Sequence, residues 1–298
     1  MISTFAPTLV PFLLGVIARK IGWLSARTAD EFLKFIFYIS APCLIVPAFS
    51  TLPITSSVLV VPLTGVAVVL TTYFAWRTLL LPRLNLPRTT LGVCLTGTLI
   101  MNIGFLLPFV FLSLDSEALA YLFLMDSING IFTFSFVYFL ATQHGSHPAS
   151  LLENVKKIVF SPVNWSILVG LALNLTNSRL PPPVASVMKP LGDSAIPLVM
   201  VSLGLYFTVT KDRLHLVALM IGMRSVLGFC LGFACVTLFG IHGDAGQIVL
   251  LCCSAPIGIN TLTFASLEGL DTELAAKAIS LSILLGFLYV PLILQLQF

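Results

Sequence analysis

Apolar stretches of about 20 residues follow one another along nearly the whole chain, separated by short polar connections. A helix of that length crosses the hydrocarbon core of a bilayer, where each backbone N–H and C=O must find its partner inside the protein. Ten spans are expected, at about 3–18, 32–50, 57–81, 89–112, 117–142, 156–175, 184–208, 214–239, 245–267 and 273–296. Charge agrees with this reading. Only 9% of residues are charged and the mean hydropathy is +1.05, whereas a soluble domain carries about 25% charged residues on its wetted surface. A water-soluble enzyme, a disordered chain and a nucleic-acid-binding protein are therefore excluded. The net charge of +3 suggests no polyanion partner. Cys43, Cys94, Cys230, Cys235, Cys252 and Cys253 lie within apolar runs and read as small packing residues rather than disulfides. The N-terminus lacks a basic region ahead of its apolar run, which reads as the first membrane helix rather than a signal peptide.

The longest polar connection, 143–155, divides the chain into 1–142 and 156–298, five spans each. It reads as a cytoplasmic linker between two repeats. Basic residues alternate by side: Arg19, Lys20 and Arg27, then Arg77, Arg83 and Arg88, then Lys156 and Lys157, then Lys211 and Arg213. The opposite loops offer Arg179 alone. By the excess of Lys and Arg in cytoplasmic loops, both termini are expected outside the cytoplasm, in an inner or plasma membrane. A shift of 155 carries Pro7 to Pro162, Gly15 to Gly170, Lys34 to Lys189 and Pro42 to Pro197. A shift of 156 lays Leu114-Asp115-Ser116-Glu117 on Leu270-Asp271-Thr272-Glu273. Because five spans is an odd number, the second copy must be upside down. The expected fold is an all-α membrane protein with ten transmembrane helices in a 5+5 inverted repeat, the architecture of secondary transporters with a midplane site.

Matching Gly/Pro interruptions in the two halves are the best sequence pointer to such a site. The fourth span carries Met101-Asn102-Ile103-Gly104 and Pro108, and the ninth Ser254-Ala255-Pro256-Ile257-Gly258-Ile259-Asn260-Thr261. The shift of 155 sets Pro256 opposite Met101 and Ile257 opposite Asn102, at equivalent depth. Unwound backbone and half-helix N-termini attract an anion, and Asn102, Asn260 and Thr261 add side-chain donors and acceptors. The plainer alternative is a pair of ordinary kinks, as at Pro42 and Pro197.

Asn102-Ile103-Gly104-Phe105 before Pro108, Ala255-Pro256-Ile257-Gly258-Ile259-Asn260 before Gly269-Leu270-Asp271, and Ser161-Pro162-Val163-Asn164-Trp165 are similar to segments of the auxin efflux carrier family. That family belongs to a bile acid and anion transporter-like superfamily and includes plant auxin exporters and bacterial permeases for small organic anions. The resemblance covers nearly the whole chain, with Ile103 at a position where the family pattern has threonine. It implies that the fourth and ninth helices are broken and cross, and that substrate binds there, at Asn102, Gly104, Pro256, Ile257, Gly258, Asn260 and Thr261.

Asp126, inside the fifth span with Asn129 one turn on, costs a few kcal/mol to insert. It reads either as a protonatable or ion-coordinating group or as a structural acid. Asp193 follows Lys189 by four residues, so the two can pair on one helix face. Arg224 in the eighth span could attract an anion, or pair with Asp126 or Asp193. Lys34 and Lys277 are expected to snorkel, and Glu268 to be solvated. His144 and His147 lack companion ligands, so no metal is expected, nor any other cofactor; H+ or Na+ coupling stays open.

The expected function is a secondary carrier for a small organic anion, such as an auxin-like or dicarboxylic acid. The alternatives are a channel-like facilitator and an ion-coupled symporter of another small solute. An enzyme is not expected, because no intramembrane Ser/His, paired-Asp or metal constellation is present. The expected partners are the anion and the lipid bilayer, without nucleic acid, and a homodimer stays open.

Overall fold

The computed structural model describes residues 2–145, 159–208 and 212–296. His147, Lys156, Lys157, Lys211 and most of the 143–155 linker lie outside the described residues. Those described are helical throughout, without a strand beyond one isolated bridge. In chain order the helices are α1 (Ile2–Lys20), α2 (Ala26–Ser50), α3 (Ser57–Leu80), α4 (Arg88–Leu99), α5 (Ile103–Ser113) and α6 (Ser116–His144). There follow α7 (Pro162–Leu175), α8 (Pro182–Tyr206), α9 (Leu214–Phe239), α10 (Gly243–Cys253), α11 (Asn260–Glu268) and α12 (Thr272–Ile293). Six of these, α2, α3, α6, α8, α9 and α12, are long and apolar enough to cross a membrane.

The second helix starts at Ala26, ahead of the apolar run expected from about residue 32. Local capping extends it: the Thr28 hydroxyl accepts from the Ser25 N–H at 3.3 Å, which occupies a donor the first turn cannot satisfy. Several long helices contain a π turn, at Ile36–Ser40, Trp76–Leu80, Thr133–Val137 and Gly222–Val226.

The chain forms two compact units. Unit 1 comprises Met1–Thr55, Gly104–Leu124 and Phe160–Phe207; unit 2 comprises Ser56–Ile103, Met125–Val159 and Thr208–Phe298. Each draws on both halves of the sequence.

In unit 1, α1 lies against α8 so closely that a Cβ on Gly15 would overlap the Val201 carbonyl, and one on Gly204 the Phe12 carbonyl. Small residues permit such backbone approach between membrane helices. The contact of α7 with α2 is similar, with a Cβ on Gly170 falling 2.6 Å from Phe49 Cβ and 2.9 Å from the Val46 carbonyl. Both contacts are capped at their ends. Arg19 Nη1 donates to the Leu205 and Phe207 carbonyls at 2.7 and 3.2 Å, and Asn174 Nδ2 to those of Phe49 and Leu52 at 3.0 and 2.8 Å. These bonds occupy carbonyls that a helix end cannot pair internally. Pro42 opens the stretch after the first π turn and Pro197 follows the irregular turn at Ser194; Ser40 and Ser194 share a hydrogen bond at 2.9 Å. Lys189 pairs with Asp193 at 3.0 Å, as their spacing predicts.

In unit 2, α9 packs on α10 through Gly228 and Gly232, which face Cys253. All six cysteines are unpaired. Two sequence expectations are corrected here. Lys277 does not snorkel: its side chain is 1% exposed, donates to the Asp212 carbonyl at 2.6 Å, and lies 3.6 Å from the Asp212 carboxylate and 4.0 Å from that of Glu273. The turn ahead of α9 covers it and supplies the countercharge. Glu268 is not solvated: it is 3% exposed and accepts from the Tyr138 hydroxyl at 2.6 Å. Gly269, at φ +67°, ends α11 in the left-handed conformation that glycine adopts without strain. Gly145, at the end of α6, then closes over Glu268 at a distance that leaves no room for a Cβ.

Candidate interrupted-helix site

The fourth span is interrupted at 100–102, between α4 and α5, and the ninth at 254–259, between α10 and α11. Ile100 leaves the helix at φ −91°, ψ 123°, an extended conformation. Extended backbone inside a membrane protein must find hydrogen bonds elsewhere, and each interruption supplies the other. Met101 and Ile257 form an isolated antiparallel bridge. The Asn102 N–H donates to the Pro256 carbonyl at 3.0 Å and the Gly258 N–H to the Ile100 carbonyl at 3.1 Å. Asn102 Nδ2 adds a bond to the Ile257 carbonyl at 3.2 Å. Glycine at 258 permits the approach, since a Cβ there would overlap Ile100 Cγ2 and lie 3.1 Å from the Met101 carbonyl.

Side chains of α6 and α12 take further backbone groups of the two interruptions. Asn129 accepts from the Met101 N–H at 3.0 Å and donates to the Met101 carbonyl at 3.2 Å. Ser282 accepts from the Ile257 N–H at 3.1 Å. Asp126, half-buried, stands one turn before Asn129 on the same helix. Sequence reading missed Ser282, although the 156 shift that aligns Asp115 with Asp271 carries Asp126 onto it.

Arg224 is fully buried. Its Nη2 donates to the Cys252 and Cys253 carbonyls at 3.2 and 2.7 Å, its Nε to that of Ala255 at 3.3 Å, and its Nη1 to that of Thr98 at 3.3 Å. The Asp126 partner weighed from the sequence is thus replaced by backbone carbonyls, which sequence does not single out because every residue carries one. Tyr289 donates to the adjoining Ser254 carbonyl at 2.6 Å.

Of the expected site residues, unit 2 brings together Asn102, Pro256, Ile257, Gly258, Asn260 and Thr261, with Asp126 and Asn129 beside them. Asn102 is 5% exposed and Asn260, at the start of α11, is half-buried. The Thr261 hydroxyl is fully buried and has no hydrogen-bond partner, an arrangement that costs about 1–3 kcal/mol unless a ligand completes it. Gly104 and Pro108, in α5, belong to unit 1, as do Pro42 in α2 and Pro197 in α8. Among the described residues no group of His, Cys, Asp and Glu is arranged to hold a metal ion.

A family model for membrane transport proteins matches residues 1–294. An uncharacterized transporter of Methanothermobacter thermautotrophicus is 25% identical over 97% of this chain and 96% of its own length. The match runs through both interrupted helices and every long apolar helix, and with it the chain is assigned as an integral membrane protein of the membrane transport protein family, the family of the auxin efflux carriers.

Proposed function

We propose that this protein is a secondary carrier that moves a small organic anion across the membrane by alternating access, with its site where the fourth and ninth helices cross. The observation that carries the reading is the antiparallel pairing of Met101 with Ile257. Two interrupted helices that satisfy each other's backbone leave α11, and the helix begun by Ile103, with their N-termini beside the pairing. Such termini carry partial positive charge and free N–H groups, and bind carboxylates. Asn102, Asn260 and Thr261 line the same stretch, and the unpaired Thr261 hydroxyl is a group that a carboxylate would complete. Auxin-like aromatic acids, malate and malonate share that chemistry.

The contacts support a 5+5 inverted repeat. Under the shift of 156, Met101 and Ile257 are each other's counterparts, and they pair. Under the shift of 155, Gly15 beside Gly204 becomes Gly170 beside Phe49, and the bond from Arg19 to Phe207 becomes that from Asn174 to Leu52. Counterpart pairs of this kind are what an internal two-fold axis produces. The loop charges favour both termini outside the cytoplasm; a cytoplasm-active reporter fused after the last residue should stay silent, and a signal there would refute this orientation. Asp126, with Asn129, is the proposed carrier of a coupling proton or cation.

The test is uptake of labelled malonate, malate and indole-3-acetate by reconstituted liposomes. A carrier gives saturation and counterflow, whereas flux that never saturates marks a channel and sinks the reading. Thr261→Val removes a hydroxyl whose unpaired burial costs the ligand-free protein, so it should hold or raise thermal stability while raising KM about tenfold, a loss of about 1.4 kcal/mol. An unchanged KM would take Thr261 out of the site.

A further inference from the structure

Arg224 stands in the π turn Gly222–Val226 of α9. Such turns hold an extra residue and recur at functional sites. One turn on, Gly228 lies so close to α10 that a Cβ would overlap the Cys253 carbonyl. This approach lets the guanidinium reach two helix ends at once. It bonds Thr98 in the last turn of α4, Cys252 and Cys253 in the last turn of α10, and Ala255 just beyond. A helix C-terminus carries roughly half a negative elementary charge. Two such ends present about one, and a single buried cation balances it.

Both interruptions follow directly from these two ends. Without the guanidinium, the negative ends of α4 and α10 would oppose the positive half-helix N-termini across the 100–102 and 254–259 segments, in the low dielectric of the interior. A carboxylate would then gain little there over a neutral group. We infer that Arg224 sets the sign of charge the site accepts: braced across the C-terminal ends of α4 and α10, it cancels both and leaves the positive half-helix N-termini to select an anion. Arg224 acts through the helix ends it holds and is a positioning residue, not a substrate ligand. The inference rests on the anion reading above.

The experiment compares each acid with its neutral amide, malonate with malonamide and indole-3-acetate with indole-3-acetamide, by equilibrium binding to the purified full-length protein. Wild type should bind at least one acid more tightly than its amide. Arg224→Gln, which keeps hydrogen-bond donors but no charge, should lower that acid-over-amide ratio at least tenfold and leave amide affinity within about threefold. Arg224→Lys keeps the charge with fewer bonds, so it should lose thermal stability yet retain the ratio within about threefold. A merely structural role would change stability in both variants and the ratio in neither. If Arg224→Gln yields no folded protein, Arg224→His decides: relative to wild type at the same pH, its acid-over-amide ratio should fall at least tenfold as the imidazole loses its charge above about pH 6.5, and a ratio that follows wild type throughout overturns the inference. A ratio unchanged in folded Arg224→Gln overturns this inference alone. A wild type with no preference for any acid overturns the anion reading together with it.

Discussion

Asn129→Ala tests whether the pairing of the two interruptions depends on α6. Asn129 bonds both the N–H and the carbonyl of Met101, at 3.0 and 3.2 Å. Asn129 and Met101 are 7% and 3% exposed, so water cannot replace the lost amide without repacking. Each orphaned buried group costs about 1–3 kcal/mol, while side-chain bonds measured in a membrane protein average nearer 0.6 kcal/mol. Together, for two groups, these bracket a loss of about 1–6 kcal/mol. At about 2 °C per kcal/mol for a chain of this size, apparent Tm should fall by about 2–12 °C. The assay is thermal unfolding in detergent at one fixed scan rate, because unfolding of such a protein is often irreversible. Leu79→Ala, a side chain 56% exposed, is the control and should shift Tm by no more than about 1 °C. Asn129→Asp keeps the acceptor for the Met101 N–H but turns an oxygen onto the Met101 carbonyl, so it should be no more stable than the alanine variant. A Tm for Asn129→Ala indistinguishable from that of Leu79→Ala would refute the reasoning, since the bridge at Met101 would then not need its side-chain support.

Gly258→Leu should abolish uptake per folded molecule, because even a Cβ would overlap Ile100; transport at the wild-type rate would mean that the interruptions need not pair. Asp126→Asn should remove any pH dependence of uptake while folded protein remains in the membrane, and an unaltered pH profile excludes Asp126 from coupling. Asp271, which caps α12, is raised in pKa by burial, but bonds from Arg213, the Leu274 N–H and Thr90 outweigh this and hold it below the ordinary 3.8. A lowered folded-state pKa stabilises above about pH 4 and loses that contribution as pH falls through the folded value. Asp271→Ala should therefore cost about 1–2 kcal/mol at pH 7, with the gap to wild type narrowing below about pH 4 in thermal-unfolding scans; a gap independent of pH would contradict the ionised cap.

The sequence alone determined that this chain is a helical membrane protein, since hydrocarbon tolerates long apolar runs only with their backbone bonded internally. It also located the interruptions, because Gly104, Pro256 and Gly258 stand beside Asn102 and Asn260 where the spans should continue. Lys189 and Asp193 were legible because four residues separate them on one helix. Each of these features is local and follows from spacing along a single element. The tertiary structure decided what spacing does not carry. Arg224 reached carbonyls of α4 and α10 rather than Asp126, and Asn129 reached Met101 from 28 residues away. Ser282 took the Ile257 N–H, and both Glu268 and Lys277, legible only as charges near helix ends, became buried. The physical reason is common to all of these. A backbone carbonyl or N–H has no residue type to read, and whether a side chain meets one, or a neighbouring turn closes over a charge, depends on how closely glycines such as Gly228 and Gly145 let distant helices approach.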